Sequence, residues 1–108
     1  MGPIDIERVL VFYLNSSNMP IRDELASKGS IEQSAIDVRD VVKRALELGT
    51  SAIILVHNHP SGSPEPSRQN MAITREIDDA ASRLGTALHD HIAIDGSEDC
   101  SFRAIGIL

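Results

Sequence analysis

The sequence predicts an α/β protein of the α+β type, in which a mixed β-sheet is flanked by helices. Apolar runs rich in β-branched residues occur at 8–14 and 52–57, as in buried strands. Apolar residues recur at helical spacing over 38–46 and again over 70–84. Two strands, a helix and a third strand follow one another along the chain, an order that favours one sheet with a crossover helix packed on it.

The first two strands are expected to form a hairpin. Residues 8–14 favour a largely buried strand, and the Asn-Ser-Ser-Asn sequence at 15–18 favours a turn. The second strand is predicted over 19–27, and Gly29 shortly after it prevents its continuation. Alternation along it gives two faces, with Arg22, Glu24 and Ala26 on one and Ile21, Asp23 and Leu25 on the other.

Two helices are predicted from capping residues and apolar stripes. Asp37 is the expected N-cap of the first, Gly49 ends it, and Asp40 and Arg44 are expected to pair on its outer face. Its apolar stripe consists of Val38, Val41, Val42, Ala45 and Leu46. The second helix follows Ser67 and ends at Gly85. Its inner face carries Asn70, Ile73, Ile77, Ala80 or Ala81, and Leu84.

The stretch 52–70 joins a buried strand to the second helix through a loop stiffened by four prolines. His57 and His59 are two residues apart at the end of this strand, so their side chains leave the same face. Two imidazoles opposite a helix N-terminus are typical of a transition-metal site, with zinc the first candidate. The alternative is a polar strand end that binds nothing.

A further pair of histidines offers a competing metal site. The strand predicted at 88–95 places His89 and His91 on one face and Asp90 and Ile92 on the other. The ends of two strands need not converge, and a half-exposed strand also explains this pair. The single Cys100 excludes an internal disulfide and lacks the basic neighbours that would activate a thiol. A short strand near 100–103 and the apolar residues 105–108 end the domain.

A hydrolytic zinc site requires three protein ligands, an open position for water and a carboxylate that takes the proton of that water. Glu24 and Asp23 are the candidate carboxylates, and surface charge is their alternative explanation. Ser67 and Asn70 at the start of the second helix face the two histidines. N-capping explains both residues as well, and it does not prevent Ser67 from donating a hydrogen bond to a ligand.

Composition limits the classes of function. The 108 residues suit a single domain, and ten basic against sixteen acidic residues give a net charge of -6, which argues against direct nucleic-acid binding. No signal peptide and no apolar run near the roughly 20 residues needed to span a bilayer are present, and one cysteine suits a reducing compartment. A cytoplasmic location without membrane contact is therefore predicted. Residues 1–3 are interpreted as an expression remnant outside the domain.

The motif His57-Asn-His59-Pro-Ser-Gly-x-Pro-x-Pro-Ser67-x-x-Asn70 resembles the metal-binding motif of RadC-type proteins, a bacterial branch of the JAMM (MPN-type) metalloprotease superfamily. The similarity extends over nearly the whole chain, including residues 38–48, 51–56, 90–92 and 101–106. It implies one RadC-like JAMM/MPN domain over residues 4–108, with a cytidine-deaminase-like sandwich fold. The helix-hairpin-helix-like domain that usually precedes it in RadC proteins has no counterpart in these 108 residues.

The resemblance also implies roles for individual residues. His57 and His59 correspond to the zinc ligands, Glu24 to the general base that holds the catalytic water, and Ser67 to a stabiliser of the oxyanion. The third ligand in the family is an Asp eleven residues after the second His, and Asn70 stands at that position here. Because an amide oxygen is neutral and a poorer zinc donor than a carboxylate, this chain is expected to hold Zn²⁺ weakly.

The function implied by the resemblance is zinc-dependent hydrolysis of peptide or isopeptide bonds in a peptide or protein substrate, weakened or lost through Asn70. One alternative is a non-catalytic accessory or binding module associated with DNA repair or DNA processing. Another is a pseudoenzyme that keeps the pocket to bind a peptide. The metal content of the purified protein separates the hydrolase hypothesis from the other two. The sequence does not indicate an oligomeric state.

Overall fold

The computed structural model describes residues 8–28, 37–58, 68–95, 98–106 and 108. This part of the chain forms β1 (Arg8–Leu14), β2 (Pro20–Lys28), α1 (Val38–Glu47), β3 (Ala52–Asn58), α2 (Arg68–Arg83), β4 (Ala87–Asp95) and β5 (Glu98–Ser101). The strands form one sheet in the order β2-β1-β3-β4-β5. The sheet is mixed, because β3 and β4 run parallel while the other neighbours are antiparallel. The fold is therefore α+β, as the sequence predicted.

The β1–β2 hairpin closes through a turn held by Asn15, whose Oδ1 accepts hydrogen bonds from the backbone N–H groups of Ser17 and Met19 at 2.9 and 3.0 Å. Asn18 adopts the left-handed conformation at φ 59°, which asparagine tolerates better than most residues. The predicted faces of β2 are confirmed at Glu24, which opposes Val11. Nearer the end of β2 the register slips by one residue, so strict alternation does not hold there.

α1 begins at its predicted cap, and both helices end at the predicted glycines. Asp37 caps α1, since its Oδ1 accepts the backbone N–H of Arg39 at 2.9 Å. Gly49 at φ 66° and Gly85 at φ 82° follow the two helices in the left-handed conformation that ends a helix. Neither α1 nor α2, the helices that the described residues contain, is long and apolar enough to cross a membrane.

The core lies on one face of the sheet, where both α1 and α2 pack. We call this the helix face. Its fully packed members are Val9, Val11, Tyr13, Val41, Ala45, Ile53, Leu55, Ile77 and Leu88. Two residues of the predicted stripes are corrected, since Leu46 is 54% and Leu84 51% exposed. Leu84 lies beyond the last residue of α2, and the buried arc of that helix runs through Thr74 instead.

The opposite face of the sheet, here called the outer face, is also apolar. Its central residues are half-buried rather than fully buried: Leu10, Phe12, Ile54, Val56, Ile92 and Ile94. In the described part of the chain the helices pack on the other side, so the outer face has the character of a half-covered sheet surface.

Candidate metal centre

His57 is the next-to-last residue of β3 and its side chain is fully buried, at 0% exposure. It opposes Val9 of β1 on one side and Ala93 of β4 on the other. Because Leu55, two residues earlier, lies in the core, alternation places His57 on the helix face as well. A polar strand end exposed to solvent is therefore not what the structure shows at this residue.

A second histidine lies next to His57. His91 of β4 opposes Leu55, is also 0% exposed, and its ring centroid is 5.6 Å from that of His57. Thr74 of α2 places its Oγ1 2.6 Å from His91 Nδ1. Phe102 stacks on the His91 ring, with centroids 4.2 Å apart and planes 23° from parallel. Two imidazoles thus share one buried region between the sheet and α2.

His89 does not share this region, which corrects the prediction that His89 and His91 leave the same face. The β3–β4 register slips by one residue, so that Ile53 opposes Leu88 while Ile54 opposes Asp90. His89 is the extra residue and stands outside the alternation. Its Nε2 lies 3.0 Å from Oδ1 of Asn18 in the first hairpin turn.

Asp90, which follows the extra residue of β4, has a structural role. Its Oδ1 accepts the backbone N–H of His91 at 2.8 Å, and its Oδ2 accepts the hydroxyl of Ser101 at 2.5 Å. The backbone N–H of Arg103 donates to the same carboxylate at 3.1 Å. Asp90 therefore ties β4 to β5 and to the turn that follows it, next to the residue that carries the buried imidazole.

Two of the predicted site residues, His59 and Ser67, lie in the segment 59–67, outside the described residues. Asn70 is the third residue of α2, one helical turn before Thr74, and its side chain is likewise outside the description. Because Thr74 contacts His91, the first half of α2 packs on β4, the strand that carries this second buried histidine. The ligand roles of His59 and Asn70 remain predictions.

The donor chemistry of this region suits a transition metal, since neutral imidazole nitrogen is a common zinc ligand. Within residues 8–28, 37–58, 68–95 and 98–106, however, no group of three His, Cys, Asp or Glu side chains could hold a metal ion. A complete ligand set of this kind therefore requires residues beyond these ranges, and His59 is the histidine that lies there. Cys100 is half-buried, as expected for a small structural residue.

Glu24 lies on the helix face like His57, but on the edge strand β2, two strands away from β3. It is level with Leu55, two residues before His57, because it opposes Val11 and Val11 opposes Leu55. Its carboxylate accepts hydrogen bonds from Nε and Nη2 of Arg44 at 2.9 and 2.7 Å. These bonds hold the pKa of Glu24 below its usual value of 4.5. The other candidate base, Asp23, opposes Phe12 and so belongs to the outer face.

The partner of Arg44 differs from the predicted one. The sequence pairs Arg44 with Asp40 along α1, whereas the structure directs its guanidinium across to Glu24, with Glu47 at 3.7 Å as a second partner. A bidentate pair with a half-exposed carboxylate offers better geometry than a contact along the helix surface. A cleft over this pair is bounded by β2 and α1 and reaches Tyr13. Burial, followed by the charge of Glu24, raises the pKa of Tyr13 to about 12.

Comparison with known proteins now adds to this geometry. The family described as the RadC-like JAB domain matches residues 1–107 of the chain. The chain belongs to this family. A UPF0758 protein of Rhodobacter capsulatus is 48% identical over 102 residues, which cover 94% of this chain and 48% of the relative. A UPF0758 protein of Ruegeria pomeroyi is 47% identical over 108 residues, which cover the whole chain and 48% of the relative.

The chain thus spans about half the length of these curated relatives. The family assignment from the histidine motif is confirmed by the match, and the mixed five-stranded sheet with two helices is consistent with a JAB domain. Neither the family description nor the names of the relatives state a substrate or a catalytic activity.

The sequence-based predictions did not include the contacts of three residues beside the predicted site of this RadC-like JAB domain. Thr74 and Phe102 hold His91, and Arg44 holds Glu24. Thr74 carried a usable signal, because it follows Asn70 by four residues and so lies on the same side of α2. The sequence gives no such signal for Arg44 or Phe102, because their contacts join segments far apart in sequence.

Proposed function

We propose that this chain is a zinc-dependent hydrolase domain that acts on peptide or isopeptide bonds. His57 and His59 would hold the metal, with Asn70 as a weak third ligand. The observation that supports the proposal best is the full burial of His57 on the helix face, with its ring centroid 5.6 Å from that of His91. Membership of the RadC-like JAB family supports it as well, because the resemblance to JAMM proteases implies this chemistry.

Each residue of the proposed site has a separate role. A bound zinc ion would supply Lewis acidity and lower the pKa of a coordinated water to about 7. His57 would contribute a neutral ring nitrogen from a fully buried side chain. Glu24 accepts the proton of the attacking water, and Ser67 donates a hydrogen bond to the oxygen of the scissile carbonyl. The oxyanion of the tetrahedral intermediate is stabilised by that hydrogen bond.

Arg44 limits this chemistry. Glu24 must turn away from the guanidinium before its carboxylate reaches a water near His57, since the two side chains lie two strands apart. The lowered pKa of Glu24 also makes it a weaker base than an ordinary carboxylate near neutral pH. Together with a neutral Asn70, this predicts weak zinc binding and slow hydrolysis.

The same two features support a second candidate, a non-catalytic binding module. A carboxylate tied to Arg44 and an amide at the third ligand position are compatible with a pocket that binds a peptide without cleaving it. An accessory role in DNA repair or DNA processing would then be exercised through protein contacts, because the net charge of -6 opposes direct contact with phosphates. The cytoplasmic location also remains a proposal.

Elemental analysis and calorimetric zinc titration of the purified chain test the metal, and a panel of peptide and isopeptide substrates tests the hydrolysis. Zinc should bind the parent, and His57→Ala should bind it at least tenfold more weakly, as expected when a ligand is lost. His89→Ala is the matched control and should bind zinc like the parent. Equal zinc affinity of His57→Ala and the parent would refute the proposed site. Zinc binding without hydrolysis would favour the binding module.

A further inference from the structure

We propose that His91 is a positioning residue for His57, and that Thr74 and Phe102 fix His91 for this task. The inference rests on the proposed function in one respect, namely that His57 binds the metal. It adds residues that the histidine motif does not include. His91 lies one strand away from His57 and two residues deeper in the sheet, because it opposes Leu55 while His57 opposes Ala93.

The ring of His91 is held from two sides. Thr74 Oγ1 lies 2.6 Å from Nδ1, and the Phe102 ring stacks at 4.2 Å. The backbone N–H of Phe102 also donates to the carbonyl of His91 at 3.0 Å, so the stacking partner is tied to the same residue by its main chain. Phe102, Thr74 and His91 are all 0% exposed. His91 is therefore fixed in both position and orientation.

This fixed ring limits the orientation of His57. The two rings lie 5.6 Å apart at an angle of 33°, and His57 is 0% exposed. In an interior packed as densely as a crystal, a buried ring turns only if its neighbours move. A metal ligand must point its nitrogen within a narrow range of directions, and residues that orient ligands typically contribute 10–100-fold to metal affinity. His91 is the described aromatic neighbour that sets this direction for His57.

Thr74 links this arrangement to the helix that carries the third ligand position. Residues 70 and 74 are one turn apart in α2, so the hydrogen bond between Thr74 and His91 also fixes how this part of α2 packs on β4. The competing explanation is that His91 is a buried core histidine with no effect on His57. The two explanations differ in whether removal of the Thr74 hydroxyl changes the orientation of the His57 ring.

The test compares Thr74→Val, which keeps the volume and removes the hydroxyl, with Thr74→Ser, which keeps the hydroxyl. Zinc dissociation constants are measured by calorimetry. The ring nitrogens of His57 are observed in metal-free protein by long-range ¹H–¹⁵N NMR. We expect Thr74→Val to weaken zinc binding by about tenfold and to change the His57 ring signals. Thr74→Ser should restore both to parent values, and the control His89→Ala, whose ring contacts Asn18 instead, should alter neither.

Parent-like zinc affinity and a parent-like His57 ring spectrum in Thr74→Val would overturn the positioning role. A parent protein that binds no zinc would refute the proposed function, yet the ring spectrum would still decide whether Thr74 and His91 orient His57. If Thr74→Val does not fold, Phe102→Leu takes its place, because it removes the stacking and leaves the hydrogen bond. An unchanged His57 ring spectrum in that variant would equally overturn the inference.

Discussion

Glu24 in β2 and Arg44 in α1 are joined by three hydrogen bonds of 2.7 to 3.1 Å. The pair ties the first helix to the edge strand of the sheet, twenty residues earlier in the chain. It also engages the residue that the family resemblance assigns as the general base. The acid stability of the fold and the reactivity of the candidate site therefore depend on the same contact.

Replacing Arg44 by Met should let the pKa of Glu24 rise toward its usual 4.5, because the hydrogen bonds that lower it are lost. In the parent, the contribution of a lowered pKa to stability is present above pH 4.5 and is lost as the pH falls through the lower value of the folded state. Arg44→Met should lack that part of the acid dependence. A ¹³C titration of the Glu24 carboxyl measures its pKa, with Lys43→Met as the control variant. A titration curve of Arg44→Met identical to that of the parent would contradict the prediction.

Tyr13 should make the fold sensitive to alkali. Its pKa is raised from the usual 10.0 to about 12, so its contribution to stability is full below pH 10 and is lost as the pH rises from 10 toward 12. The loss is about 3 kcal/mol at most, since one pKa unit corresponds to about 1.4 kcal/mol. Urea unfolding at pH 9 and 11 should show about half of this loss in the parent, because pH 11 lies midway between the two pKa values, and a smaller loss in Tyr13→Phe.

The titration of Tyr13 can also be followed directly. The sequence contains one tyrosine and no tryptophan, so the absorbance change near 295 nm belongs to this side chain alone. Ionisation with a midpoint at the ordinary value of 10.0 would show that Tyr13 is not buried beside Glu24.

Glu24→Gln should leave the zinc affinity unchanged and abolish detectable hydrolysis, because an amide cannot accept the proton of water. Its melting temperature should fall, since the ion pair with Arg44 is lost. Asp23→Asn, one residue away on the outer face, is the matched control and should retain hydrolysis. Loss of hydrolysis in Asp23→Asn, with full activity in Glu24→Gln, would move the general base to Asp23.

Asn70→Asp should tighten zinc binding by about tenfold or more, taking the lower range of effects seen when metal-site residues change. The first turn of α2 contains no acidic residue, and a negative charge there should add about 0.3–1 kcal/mol through the helix dipole. The melting temperature should rise more in zinc than in chelator, because a ligand of the native state adds stability.

Calorimetry of both proteins with zinc provides the measurement for this substitution, and Gln69→Glu, its neighbour in the same turn, is the control for charge alone. Equal zinc affinities of the parent and Asn70→Asp would show that residue 70 is only part of the helix start. The interpretation of this chain as a weakened hydrolase would lose its main support.

Much of the fold was predictable, because its signals are local. The bounds of β1, the Asp37 cap and the glycines that end both helices follow from side-chain chemistry within a few residues. The extra residue at His89 was not predictable, since alternation in a sequence carries no sign of a bulge. One slipped residue was enough to separate His89 from His91.

The candidate site was predictable in part for the same reason. The inward direction of His57 follows from alternation along a short apolar strand. The contacts Thr74–His91, His91–Phe102 and Arg44–Glu24 join separate elements, and their partners are decided by how the helices pack on the sheet. Sequence spacing along one element cannot specify such pairs.

The parallel pairing of β3 and β4 has a consequence for how the molecule folds. The β1–β2 hairpin closes over a turn of a few residues, whereas β3 and β4 meet only after the chain has closed a connection spanning residues 59–86. Closing long loops before contacts form is the slow part of folding. His57 and His91 lie on opposite sides of that connection, so we expect their contact to form after the β1–β2 hairpin. Zinc held at this place would report the pairing of β3 with β4 rather than the formation of the hairpin alone.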